Sequence, residues 1–206
     1  MEDTKKEYKR KEMRNRQERR QNKVLHGQYL KDTDGKTDFE ITWNWLKNGY
    51  LKKETEGFIM AAQDQAIRTN AIKAKIDKTA IDRKCRLCKV KEATIEHQVS
   101  RCSKIELTVY KERHNKVASM LHWNLYRKYS LPTADRWWEH KVDKVLQRED
   151  VKILWDFKIQ TNKHLAHNIP DITVVEKKQE WIIDVAIPGD GRIEEKEQEK
   201  ISKYLK

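Results

Sequence analysis

At 206 residues and 24.8 kDa the chain has room for one or two domains. Apolar residues are 37% of it and charged residues 38%, so it can bury one or two modest cores but not one large one. Lys and Arg number 45 against 33 Asp and Glu, a formal charge of +12, which points to a polyanionic partner, nucleic acid before membrane. No apolar run approaches the ~18 residues that a membrane span needs, and the first turns are charged. A secreted, membrane-embedded or disulfide-scaffold protein is excluded, and the expected location is nuclear or cytoplasmic.

Taken in chain order, residues 1–36 form a basic segment that reads as a solvated helix or a disordered tail. Asp32-Thr33-Asp34-Gly35 is a turn signal. Thr37 or Asp38 can cap a short helix carrying Ile41, Trp43, Trp45 and Leu46, which Asn48-Gly49 ends. Phe58, Ile59, Ala62, Ala66, Ile67 and Ala71 recur at three- and four-residue spacing and predict a helix from Glu54 to Ile76. A cysteine cluster follows at 85–102. Helices are predicted over Ile105–Tyr129, stopped by Ser130-Leu131-Pro132, and over Asp135–Arg148.

After 150 the pattern changes. Val151–Thr161, Ile172–Val175 and Trp181–Ile187 are β-branched and aromatic runs of strand length. Pro188-Gly189-Asp190-Gly191 is a turn, and a charged helix runs from Ile193. The expected class is α+β or α/β: a helical front part (37–130) bearing the cysteine cluster, then a small α/β part (131–206). Trp43, Trp45, Trp137, Trp138 and Trp155 are expected in cores rather than stacked on bases.

All three cysteines fall in one motif, Cys85, Cys88 and Cys102 with His97, spaced C-x2-C-x8-H-x4-C. Zinc takes four such ligands in a tetrahedron, and the C-x2-C turn presents two thiolates to one ion. No cysteine is left over for a disulfide scaffold. Four protein ligands close the site, so the zinc is expected to be structural. Lys84, Arg86, Lys89, Lys91, Arg101 and Lys104 surround it, and residues 83–128 carry twelve basic against four acidic side chains. This pattern suits a zinc knuckle presented to nucleic acid, with affinity falling steeply with salt.

A second constellation joins Pro170-Asp171 to Asp184. If Lys177-Lys178 form a two-residue hairpin loop, Asp171 lies directly opposite Asp184 on one face, with Cβ atoms about 5 Å apart. A four-residue loop keeps them on one face diagonally, and a three-residue loop separates them. Two adjacent carboxylates repel unless a cation lies between them, and Mg²⁺ is the natural occupant. Lys196, Lys200 and Lys203 form one stripe on the last helix and can add positive charge, although a surface hairpin beside a salt-bridged helix accounts for the same residues. His164 and His167 are read as a solvated loop rather than metal ligands.

The order of these motifs, with Arg113-His114-Asn115 between knuckle and aspartates and Lys203-Tyr204 after them, resembles the C-terminal region of a non-LTR (LINE-type) retrotransposon polyprotein with a restriction-like endonuclease. Glu54-Thr55-Glu56-Gly57, Ala61-Ala62-Gln63-Asp64-Gln65-Ala66 and His122-Trp123 add to the likeness, which is strongest over 37–206. The resemblance implies a PD-(D/E)xK-type nuclease fold. In it Asp171 and Asp184 hold Mg²⁺ or Mn²⁺ and one DNA strand is nicked to prime reverse transcription. The implied partners are DNA and element RNA. Lys84, Arg86, Lys89, Arg101, Arg113, His114 and Asn115 are the implied contacts, although an exposed turn of a basic helix explains the last three as well. The lysine usual two residues after the second acid is replaced by Ala186, so the resemblance passes its role to Lys200 or Lys203. It also implies a fragment lacking the polymerase and truncated before a further strand. The rival expectation is a catalytically inactive zinc-knuckle fragment that only binds nucleic acid.

Overall fold

The computed structural model describes residues 2–79, 82–160, 168–177 and 179–204. It divides into two compact units, Met1–Lys104 with Pro188–Glu194, and Ile105–Ile187 with Glu195–Lys206. The division falls before the helix that ends at Lys128, whose Tyr126, Leu121 and Leu125 pack in the second unit's core. Among the described residues no helix is long and apolar enough to cross a membrane.

The first unit is helical. It contains α1 (Glu2–Gln21), α2 (Gln28–Thr33), α3 (Phe39–Asn48), α4 (Lys53–Gln63) and α5 (Asn70–Lys75). Asp38 caps α3 by accepting from the Ile41 N–H at 2.9 Å, and the helix stops before Gly49. The predicted helix from Glu54 to Ile76 is in fact two. Gln65 adopts φ +56°, which breaks the first, and the Thr69 hydroxyl accepts from Ile72 N to start the second. The cysteine segment follows α5.

The second unit pairs α6 (Lys111–Lys128) with an antiparallel sheet of order β1-β2-β3-β4, made of β1 (Val145–Gln147), β2 (Val151–Trp155), β3 (Ile172–Glu176) and β4 (Gln179–Ile183). Tyr126 of α6 packs with Val151, Ile153, Ile172 and Val174, flanked by Leu121, Leu125, Leu131, Leu146 and Trp155. Residues two apart on β2 and on β3 thus share the face that α6 covers.

The helix predicted over Asp135–Arg148 is absent. Trp137–Glu139 make a single 3-10 turn, and Val145–Gln147 pair with β2, sending only Leu146 into the core. Val142, Val145 and Leu146 fit a helical period and a short edge strand equally, and tertiary pairing decides. Strand β2 also stops earlier than predicted, where Asp156 turns to φ +47° and its N–H donates to Asp171 O at 2.8 Å. Helix α7 (Ile193–Tyr204) closes the described chain as expected.

Candidate metal centre and carboxylate site

The cysteine motif closes on itself. Lys84 bridges Glu92, Cys85 N donates to Lys91 O at 2.7 Å, and Lys89 N donates to Cys85 O at 2.8 Å. Lys89 takes φ +56° at the tip, which lets the C-x2-C turn fold back. The Thr94 hydroxyl accepts from His97 N at 3.1 Å and starts the π-type turn His97–Arg101 that carries the imidazole toward the thiols.

The ligand atoms of Cys85, Cys88, His97 and Cys102 all lie within 4.8 Å of one another. Cys85 Sγ and Cys102 Sγ are 3.9 Å apart, and Cys88 Sγ is 3.3 Å from His97 Nε2. Zn–S bonds of ~2.3 Å in a tetrahedron imply an S···S edge of about 3.8 Å, so the donor set fits zinc in both chemistry and spacing. Hydrogen bonds from the Lys91 and Val90 backbone lower the Cys88 thiol to about 6, toward the thiolate a metal needs. Burial pushes the Cys102 thiol up, and a cation would have to reverse that. Cys85, His97 and Cys102 are buried, whereas Lys84, Arg86, Lys89, Lys91 and Arg101 are exposed around them. Arg101 is engaged by Glu96 at 2.6 Å. Leu87 and Val90 stand exposed on the same turn.

The carboxylates belong to the second unit. Strands β3 and β4 pair Glu176 with Gln179 and Ile172 with Ile183, the register of a two-residue loop. Lys177 there has φ +51°, while Lys178 lies outside the described residues. Asp171 and Asp184 each lie one residue beyond the last pair, so they share the alternation of Thr173 and Ile182 and meet across the ribbon.

Each carboxylate has its own partners. Asp171 Oδ2 accepts from Val185 N at 2.6 Å and lies 3.3 Å from His114 Nε2 on α6. Asp184 Oδ1 meets Lys200 Nζ at 2.6 Å, and its Oδ2 meets Lys203 Nζ at 2.8 Å and the Tyr204 hydroxyl at 2.9 Å. Lys200 also donates to Val185 O at 3.2 Å.

The two acids are therefore driven apart electrostatically. Burial raises the Asp171 carboxyl above its ordinary range, and the Val185 N–H and His114 offset only part of that. Burial would raise Asp184 too, but Lys200, Lys203 and Tyr204 outweigh it and bring the carboxyl down to about 2. Burial alone would lower the Lys203 ammonium, yet Asp184 holds it above its ordinary value.

Of the residues singled out in sequence, the fold gathers Asp171, Asp184, Lys200, Lys203 and His114 at this one place. His114 thus sits against a carboxylate, and nothing in its own triplet could have shown that. Lys196 turns to Glu199 instead. Arg113 is half-buried with its guanidinium 5.4 Å from the Tyr110 ring centroid, and its Nε is buried without a hydrogen-bond partner. Asn115 is exposed, and its Oδ1 lies 3.2 Å from His114 Nδ1. His164 and His167 lie outside the described residues. Trp155 joins the core as expected, but Trp138 is 61% exposed, so the core assignment fails for that tryptophan. No protein-family model matches the chain, and neither a curated protein nor a solved structure matches it.

Proposed function

We propose that this chain is a retrotransposon-derived, metal-dependent DNA endonuclease region whose zinc knuckle binds nucleic acid, nicking target DNA to prime reverse transcription. The observation that carries the reading is the β3–β4 register, which sets Asp171 and Asp184 across one ribbon beside two lysines. A Mg²⁺ or Mn²⁺ ion on these carboxylates would lower the pKa of an attacking water and stabilise charge on the phosphate. Two hard oxygen donors fit such an ion, but Asp184 has to give up one ammonium to receive it.

The chain's own residues divide the remaining work. Val185 N–H and His114 hold the Asp171 carboxyl in place, and a lysine displaced from Asp184 is free to take a phosphate oxygen. Lys200 is the better candidate, being more exposed than Lys203 and not tied to Tyr204. The motif order described above supports the retrotransposon origin, and the exposed basic rim of the cysteine motif supports the nucleic-acid partner. The zinc at Cys85, Cys88, His97 and Cys102 is structural in this account.

The rival is an inactive nucleic-acid-binding module, favoured by the ion pairs that already satisfy both oxygens of Asp184. Incubating supercoiled plasmid with zinc-loaded protein and Mg²⁺ or Mn²⁺ separates the two. Nicking by the wild type that Asp184→Ala abolishes supports the enzyme. Intact plasmid with both proteins, still retarded on a gel, supports the rival.

A further inference from the structure

Beside α6 the second unit holds an open groove of about 500 Å³, lined by Leu107, Lys111, Asn115, Lys116, Trp137 and Trp138 among others. Trp137 meets Trp138 edge to face, with ring centroids 5.9 Å apart at 87°. The Arg136 guanidinium lies 5.4 Å from the Trp138 ring centroid, and the residue is still 61% exposed. An indole this open is unusual beside a well-packed core, since hydration of so large an apolar ring opposes folding. Of the charged residues lining the groove, Lys111 and Lys116 stand against Glu112, and Arg136 adds a third cation at the Trp138 ring. Lys116 is paired with Glu112 at 2.8 Å, whereas Lys111 is exposed beside it.

The groove is wired to the carboxylates. Asn115 lines it, Asn115 Oδ1 lies 3.2 Å from His114 Nδ1, and His114 Nε2 lies 3.3 Å from Asp171 Oδ2. One imidazole thus separates a basic, aromatic trough from the acidic pair.

We propose that this groove seats an unpaired nucleotide of the nucleic-acid strand beside the cleavage site, with its base stacked on Trp138 and its phosphates facing Lys111 and Lys116. The proposal deepens the nuclease reading and rests on it for the identity of the strand. Within a duplex both faces of a base are already stacked on its neighbours, so the occupant of a groove is single-stranded, such as an end freed by a nick. Stacking is tolerant of sequence, because every base has a π face, and Arg136 adds cation–π attraction.

The test uses the zinc-loaded full chain without Mg²⁺ and fluorescein-labelled 12-mers: oligo-dT, oligo-U, and an abasic strand of equal charge. Trp138→Ala is expected to weaken oligo-dT binding at least about fivefold, with Trp138→Tyr retaining most of it. The abasic strand should bind more weakly and be indifferent to Trp138→Ala. Lys111→Ala should reduce the salt slope by about one for every strand. A larger Trp138 effect on oligo-dT or on oligo-U tells whether the seated strand is DNA or RNA. Equal binding by wild type and Trp138→Ala overturns the proposal, as does an abasic strand that binds equally well. So does a poly-Glu peptide whose binding depends equally on Trp138, which would make the groove a protein-docking surface. Trp138 is exposed, so its replacement should leave the fold intact, which the amide spectrum checks. Loss of plasmid nicking in Asp184→Ala is read separately, so a failed groove and a failed nuclease give different results.

Discussion

Lys200 Nζ and Lys203 Nζ grip opposite oxygens of Asp184, at 2.6 and 2.8 Å, from two positions three residues apart on α7. The spacing puts both ammoniums on one face of the helix. Asp184 thereby stays ionised where a neighbouring carboxylate would otherwise compete with it for a proton.

Removing Lys203 should raise the Asp184 carboxyl from about 2 toward the ordinary 3.8, because one of its two ammoniums is lost. A carboxyl depressed in the folded state contributes stability above its unfolded pKa and loses it as pH falls through the folded value. Thermal midpoints of the wild type should therefore drop between pH 3.8 and about 2, and those of Lys203→Ala should drop at higher pH. Carbon NMR of the aspartate carboxyls measures the midpoint directly. An unshifted Asp184 midpoint in Lys203→Ala would show that the ion pair does not control its charge.

His122 makes a second pH dependence in the same unit. It is fully buried on α6, its Nδ1 2.8 Å from His140 Nε2 and its Nε2 without a partner, and its ring meets Trp155 edge to face. Burial, then repulsion from His140, lowers its pKa from 6.5 to about 4, although Asp143 opposes this. The unfolded chain binds this proton first, so stability should fall as pH drops from 6.5 to about 4. The loss is at most about 3 kcal/mol for a group shifted this far. His122→Gln should flatten that slope in urea unfolding curves. A slope unchanged by the substitution would assign it to other groups.

Zinc should be present at one ion per chain, and Cys88→Ser should unfold the 85–102 segment, since closed zinc sites supply folding energy to short loops. Amide spectra with and without a chelator check this. The β3–β4 hairpin belongs to the other compact unit, so its resonances should persist when those of 85–102 collapse. Dispersed 85–102 resonances in the stripped protein would mean that hydrogen bonds alone hold the cysteine turn.

The two strands of the hairpin were legible because β-branched runs flank a short polar tip, but the tip left the loop length open, and only the pairing of Glu176 with Gln179 chose the parity that brings Asp171 and Asp184 together. The start of α3 was legible to within one residue, since Thr37 and Asp38 both offer a short acceptor, and the structure picks Asp38. The strand Val145–Gln147 was not, because three apolar positions satisfy both periods and only β2 decides between them. Trp138 was misread because apolar character says nothing about whether the fold supplies a cover for a ring. His114 shows the same limit from the polar side. Its contact with Asp171 spans 57 residues, and no local pattern encodes a contact of that range.

If Asp171 and Asp184 share a divalent ion, its binding requires both carboxylates. Titrating Mn²⁺ into zinc-loaded protein with a short DNA duplex, read by electron paramagnetic resonance, measures this. One bound Mn²⁺ per chain is expected, lost in both Asp171→Asn and Asp184→Asn while zinc is retained. Binding that survives either substitution, or no Mn²⁺ bound by the wild type, would rule out a shared ion.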